Sequence, residues 1–146
     1  MTVEVISSWE VGWNYPRVES DMWEMVLREF GVDCQCMMPV SGIKAHENQT
    51  FLMEYNDVAV AVDAARTAGR SIVFIDEAGD TELDDFTHPA DVAYVFGRTS
   101  QNLMSLYMDA GQGDVSVRVD TPNNTGLPFG HQIAAIVLHD RFKKAS

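Results

Sequence analysis

The residues best suited to chemistry lie between Val92 and Leu138. A five-residue apolar run, VAYVF (92–96), leads straight into Gly97-Arg98-Thr99-Ser100. Glycine at such a junction has no Cβ, so the backbone can approach a ligand closely. A second run, Val115–Val119 (VSVRV), feeds a loop of turn residues, Asp120–Gly130 (DTPNNTGLPFG), and then an apolar helix around Ile133–Leu138. Two strand ends and two loops would meet at the start of one buried helix. In an open parallel α/β sheet, small ligands settle in the crevice beyond the strand carboxyl ends. Asn123 and Asn124 could hydrogen-bond a ligand or only build the turn. His131 could touch a ligand or cap the helix.

Other candidates are weaker. Trp9, Trp13 and Tyr15 could stack on bases or pack a subunit interface. Cys34 and Cys36 supply two of the three or four ligands a zinc site needs. Read as pointing to opposite faces of a strand, they form no disulfide and stand as two reduced cysteines. No metal is expected. The stretch Asp76–Asp91 holds seven acidic residues and one proline. Asp76, Glu77 and Asp80 around Gly79 do not reproduce calcium-loop spacing, so it reads as a solvated connection. His46 and His88 lie in polar loops and receive no role.

The elements that must position these residues follow from patterning. Thr2–Ile6 alternates like a strand, and a loop runs through Arg17. Ser20 is placed as the N-cap of a helix to about Phe30, with Met22, Met25, Val26 and Phe30 inward and Gly31 as the stop. Cys34–Val40 and Phe51–Met53 read as strands. A helix from Asp57 through Thr67 turns Val58, Ala61, Val62 and Ala65 inward and ends near Gly69. Ser71–Ile75 (SIVFI) is unbroken and apolar, as in a strand covered on both faces. This alternation predicts an α/β fold, a parallel sheet with helices on both faces. Arg141-Phe142-Lys143-Lys144 places cations at the last helix's carboxyl end, where its dipole favours them.

With 146 residues, 46% of them hydrophobic, the chain reads as a single domain, 1–146, with a normal core. Its formal net charge of −12 cuts against a general nucleic-acid binder. An RNA partner would have to meet a local basic patch or be brought by a second protein. Apolar runs are too short for a membrane span. The acidic, strand-like N-terminus is unlike a secretory signal, so the default location is cytoplasmic.

The loops and their order resemble a known family. Val95-Phe96-Gly97-Arg98-Thr99 resembles the V-F-G-x-E loop of the SpoU/TrmH-type RNA methyltransferases of the SPOUT superfamily. Leu127–Asp140 (LPFGHQIAAIVLHD) resembles their last motif, roughly S-L-N-x-S-x-A-x-A-I-x-L-Y-E. Asp57–Asp76 resembles their middle helix and strand, and Glu24–Val32 (EMVLREFGV) the end of their first motif. The resemblance implies a C-terminal trefoil knot, a homodimer, and S-adenosylmethionine (SAM) bent into a cleft of three loops. Those loops fall on Phe96, Gly97 and Arg98; on Val119, Thr121 and Pro122; and on Leu127, Phe129, Gly130 and Ile133.

The departures bear on chemistry. The family glutamate is Thr99 here, a glycine is Asn102, an asparagine is Phe129 and a serine is Leu127. The first-motif arginine, assigned a role in activating the ribose hydroxyl, falls on Met25. Arg17 or Arg28 could substitute; otherwise Met25 is a core residue and no catalytic arginine remains. The implied activity is SAM-dependent ribose 2′-O-methylation of tRNA or rRNA. The alternative is a divergent member that binds SAM or a protein partner without methyl transfer.

Overall fold

Every strand pairing in the sheet is parallel. The computed structural model describes residues 1–8, 16–38, 52–53, 57–97, 103–123 and 130–145, less the side chains of 16, 17, 19, 37, 38, 52 and 53. Among the described residues the strands are Val3–Ser8 (β1), Cys34–Met38 (β2), Leu52–Met53 (β3), Ser71–Ile75 (β4), Thr81–Glu82 (β5), Val92–Phe96 (β6) and Val115–Arg118 (β7). The helices are Pro16–Glu29 (α1), Val58–Thr67 (α2), Leu103–Tyr107 (α3) and Gly130–Ala145 (α4). The sheet order is β3-β2-β1-β6-β4-β7-β5.

Side-chain alternation divides two strands between two cores. Val92, Tyr94 and Phe96 of β6, with Val73 and Ile75 of β4, face α1 and α4. Ala93, Val95, Ile72 and Phe74 face α2 and α3. No residue of β6 is more than 3% exposed. This is why an unbroken apolar run marks a central parallel strand.

Helix α2 forms as its pattern predicts. Asp57 caps it, its Oδ1 accepting from the Val60 N–H at 3.0 Å, and Gly69 follows at φ +87°. Its buried residues are Val58, Ala61, Val62 and Ala65. Helix α1 departs from expectation. It begins at Pro16, whose fixed φ suits a first turn, and Ser20 lies buried inside it rather than capping it. The inward stripe is Trp23, Val26, Leu27 and Phe30. Met22 and Met25 lie off that stripe, and Met25 is 74% exposed, so it is not a core residue. At 100° per residue, a helix that buries Trp23 and Leu27 turns Val18, Met22 and Met25 outward.

Two further expectations change. Residues two apart on a strand share a face, and both thiols meet one carboxylate. Glu4 Oε2 accepts from Cys34 Sγ at 3.4 Å and from Cys36 Sγ at 3.7 Å, and it pairs with Arg70 at 3.3 Å. Burial first, then the Glu4 charge, pushes the Cys34 thiol up to about 12 and raises Cys36 further, so both stay protonated donors. The acidic connection, read as solvated loop, also carries a seventh strand, β5, against β7, and it buries Leu83.

The start of that connection lies directly on β7. The Asp76 N–H donates to Val117 O and the Gly79 N–H to Asp76 O, each at 3.0 Å. Asp80 N–H donates to Ser116 Oγ at 2.9 Å. A Cβ on Gly79 would collide with the Val117 carbonyl carbon and lie 2.7 Å from Arg118 N, both backbone atoms with little room to yield. Gly79→Ala is therefore expected to lower the unfolding free energy by about 1–3 kcal/mol. Urea titration checks this, and an unchanged midpoint would mean that the turn is not seated on β7.

Candidate ligand cleft

The register aligns the carboxyl ends of four strands. Phe96 pairs with Ser7 of β1 and with Ile75 of β4, and Ile75 pairs with Val117 of β7. Gly97 and the segment from Val119 therefore leave the sheet at the same edge. Val119 and Ile133, partly buried, pack on the same core as Phe96.

One side chain gathers these segments. Trp23, on the inner stripe of α1, is 3% exposed. Its ring meets Phe96 edge-on at 5.6 Å and 65°, and His131 at 6.2 Å and 75°. Gly130 opens α4 against that ring: a Cβ there would lie 2.7 Å from Trp23 Cζ2. The end of β6 and the start of α4 are thus brought together, through a third segment.

Of the residues that sequence reasoning assigned to a cofactor, Phe96, Gly97, Val119, Gly130 and Ile133 share this edge. Thr121 is half-buried and Pro122 exposed, two and three residues past Val119. Arg98, Leu127 and Phe129 lie outside the described residues, as do Trp9, Trp13, Tyr15 and Asn124. The Phe96 ring packs against Trp23 and is buried, so only its backbone is left to meet a ligand at this edge. Gly130 gives its missing Cβ space to the same ring, so its role is to let the helix begin there.

The two arginine candidates stand differently. Arg17 lies in the first turn of α1, and its side chain is outside the described atoms. Arg28 Nε pairs with Glu24 Oε1 at 2.8 Å, one turn back on a half-exposed face. Ser7 Oγ at the carboxyl end of β1 and Gln35 Nε2 on β2 are buried, with no hydrogen-bond partner among the described residues. Among the described residues, no three His, Cys, Asp or Glu side chains are placed to hold a metal, and no helix is long and apolar enough to cross a membrane.

Sequence reasoning missed Trp23 and His88. The signal for Trp23 was present: it is the largest side chain in the helix, and it repeats with Leu27 and Phe30 at helical spacing. His88 is 5% exposed in its side chain, bonded to Tyr94 and Asp140, and nothing local marks it.

No protein-family model matches the sequence, and no curated protein does. Solved structures do. A protein of the TrmH family of RNA methyltransferases from Porphyromonas gingivalis superposes with a TM-score of 0.71 at 9% identity, over 98% of this chain and 60% of that one. The SpoU methyltransferase AviRb from Streptomyces viridochromogenes, solved with AdoMet, gives 0.68 at 15% identity, over 99% and 58%. An RNA 2′-O ribose methyltransferase gives 0.76 at 10% identity, over 99% and 57%. The chain spans about three-fifths of the length of each. At these identities the likeness is one of architecture: this chain has the fold of the SpoU/TrmH-type RNA methyltransferases.

Proposed function

We propose that this chain is a SAM-dependent RNA ribose 2′-O-methyltransferase acting on tRNA or rRNA. The observation that carries the reading is the junction of the strand end at Phe96–Gly97, the Val119 segment and the first turn of α4 at one carboxyl edge. The residues fit the group. Val119 and Ile133 offer partly exposed apolar surface for an adenine, Gly97 offers close backbone approach, and the buried Ser7 Oγ has hydrogen-bonding capacity to spare. The site residues proposed are Phe96, Gly97, Arg98, Val119, Thr121, Pro122, Leu127, Phe129, Gly130 and Ile133.

When bound, SAM supplies an electrophilic methyl on a sulfonium. The protein's part is to hold that methyl in line with a ribose oxygen and to exclude water. A 2′-hydroxyl is a poor nucleophile near neutral pH and needs a charge stabiliser or base as its proton leaves. Arg17 or Arg28 is assigned that role. The chain's route supports a trefoil knot. From β6 it crosses β4 with α3 on the α2 face, and from β7 it returns to α4 on the α1 face. A knot would be an exception to the rule that folded chains do not thread loops. A cytoplasmic homodimer completes the proposal. The exposed apolar row Val18, Met22 and Met25 on α1 is its candidate surface.

A second reading has its own support. Met25, where the family arginine would stand, is an exposed apolar residue, and Arg28 already has an acidic partner. A cleft that binds SAM, or a protein partner, without transferring methyl fits those facts.

Calorimetry is expected to show SAM binding, weakened about tenfold in Gly130→Ala, a change of about 1.4 kcal/mol, because the helix start must retreat from Trp23. Undetectable binding by the native chain would sink both readings that involve SAM. Labelled SAM with total tRNA and rRNA is expected to mark RNA at the ribose 2′-oxygen. Arg17→Ala or Arg28→Ala is expected to cut that rate by roughly 100-fold. Binding without methylation selects the second reading, and no loss in either variant removes the arginine assignment. Light scattering at micromolar concentration is expected to give twice the monomer mass.

A further inference from the structure

The carboxyl end of α4, far along the helix from Gly130, is held by a chain of polar contacts. His88, in the segment before β6, places Nδ1 2.6 Å from the Tyr94 hydroxyl and Nε2 2.7 Å from Asp140 Oδ2. A neutral ring satisfies both only as the Nε2–H tautomer, donating to the carboxylate and accepting from Tyr94. Arg141 Nη1 donates to Tyr94 Oη at 3.1 Å and to Pro89 O at 2.6 Å, and Nη2 donates to Ala90 O at 3.1 Å. Lys144 Nζ donates to Leu83 O at 2.6 Å and Phe86 O at 2.9 Å, and pairs with Asp140 at 2.9 Å. These bonds tie the last turns of α4 to residues 83–94.

We infer that this chain is a proton-sensitive latch that seats α4, and that its closure keeps the helix start against Trp23 and so keeps the ligand cleft in shape. The part concerning the cleft rests on the SAM reading; the latch itself does not. The groups facing His88 are Asp140, Arg141 and Lys144 from α4, Tyr94 from β6, and the Phe86 ring at 5.0 Å. Asp84, Asp85 and Met1 line the groove of about 480 Å³ beside it.

Burial lowers the His88 pKa. Asp140 opposes that, and the Lys144 and Arg141 charges add to it. Burial would raise Asp140, but hydrogen bonds from Lys144 and His88 more than offset it, so Asp140 stays ionised. A second ring proton would turn Nδ1 from acceptor into donor. The Tyr94 O–H would then lose its acceptor, and a cation would be added beside Arg141 and Lys144. A base whose folded pKa is depressed contributes stability that is complete above its unfolded value, about 6.5 for histidine. That contribution fades as pH falls from there through the folded value. The latch is therefore closed at neutral pH and opens on acidification.

Hydrogen exchange of the full chain, corrected for the intrinsic pH dependence of exchange, tests this at pH 7.5 and 5.5. Protection of α4 amides beyond Ala134 is expected to fall about five- to tenfold at the lower pH, tenfold being the most that one histidine allows over this interval, with α2 unchanged. In His88→Gln it is expected to be low at both values. Tyr94→Phe, which keeps the ring and the core packing, covers the case in which that variant fails to fold; its pH step is expected to shrink below threefold. A step as large in Tyr94→Phe as in the native chain, or no step in the native chain, overturns the latch. SAM affinity is expected to fall over the same window in the native chain alone. If SAM binds at neither pH, the cofactor reading fails while the exchange result still decides the latch.

Discussion

The close approach of Gly130 to the Trp23 ring limits everything built at the carboxyl edge. Trp23 cannot retreat, because Phe96 stands on one side and His131 on another. Any side chain at position 130 would have to displace a buried indole. Three segments more than thirty residues apart therefore meet with little tolerance. A few tenths of an ångström at this contact must be taken up by its neighbours, since packed interiors transmit strain rather than absorb it.

Strand β6, which carries Phe96, is central. With β1 on one side and β4 on the other, its alternating side chains supply both cores. The chain leaves it toward one face and comes back over the other, so both returns frame the edge proposed for the ligand. Charge is arranged differently. Among the described residues Arg66, Arg70, Arg118, Arg141 and Lys144 bind acidic groups or carbonyls of their own chain. They stabilise connections; Arg66 and the buried Asp114, for example, tie α2 to the segment before β7 at 2.6 Å. That engages five of the ten Lys and Arg residues of a chain of net charge −12, and phosphate binding needs clustered cations.

Much of the architecture was legible because its cause is local. The capping aspartate of α2, its small inward residues, and the apolar runs SIVFI and VAYVF each obey one rule that sequence displays. Helix α1 was misread because methionine scores as apolar whether it is buried or not. Trp23, the bulkier anchor, decided the face instead. The two-residue strand β5 has no period to read; it exists because β7 offers an unpaired edge. His88 was invisible for a related reason. Its partners stand 6 and 52 residues away, and a histidine among acidic loop residues looks solvated until the fold buries it.

Helix α4 joins these strands of argument. Only Ala134, Val137 and Leu138 of its 16 residues are fully buried. Burying a valine and a leucine is worth about 1.5–3 kcal/mol each. A hydrogen bond to a charged group contributes about 1.5–3 kcal/mol, and the far end of α4 makes several. Apolar burial thus does not dominate the helix's seating; polar contacts at residues 140–144 weigh as much. A helix of 16 residues is about 24 Å long, and it behaves as a rod. Freedom at its polar end becomes tilt at Gly130, where the indole leaves no slack. The proposed ligand edge and the latch occupy opposite ends of one lever, which is how a proton on a buried imidazole would reach a site it does not touch.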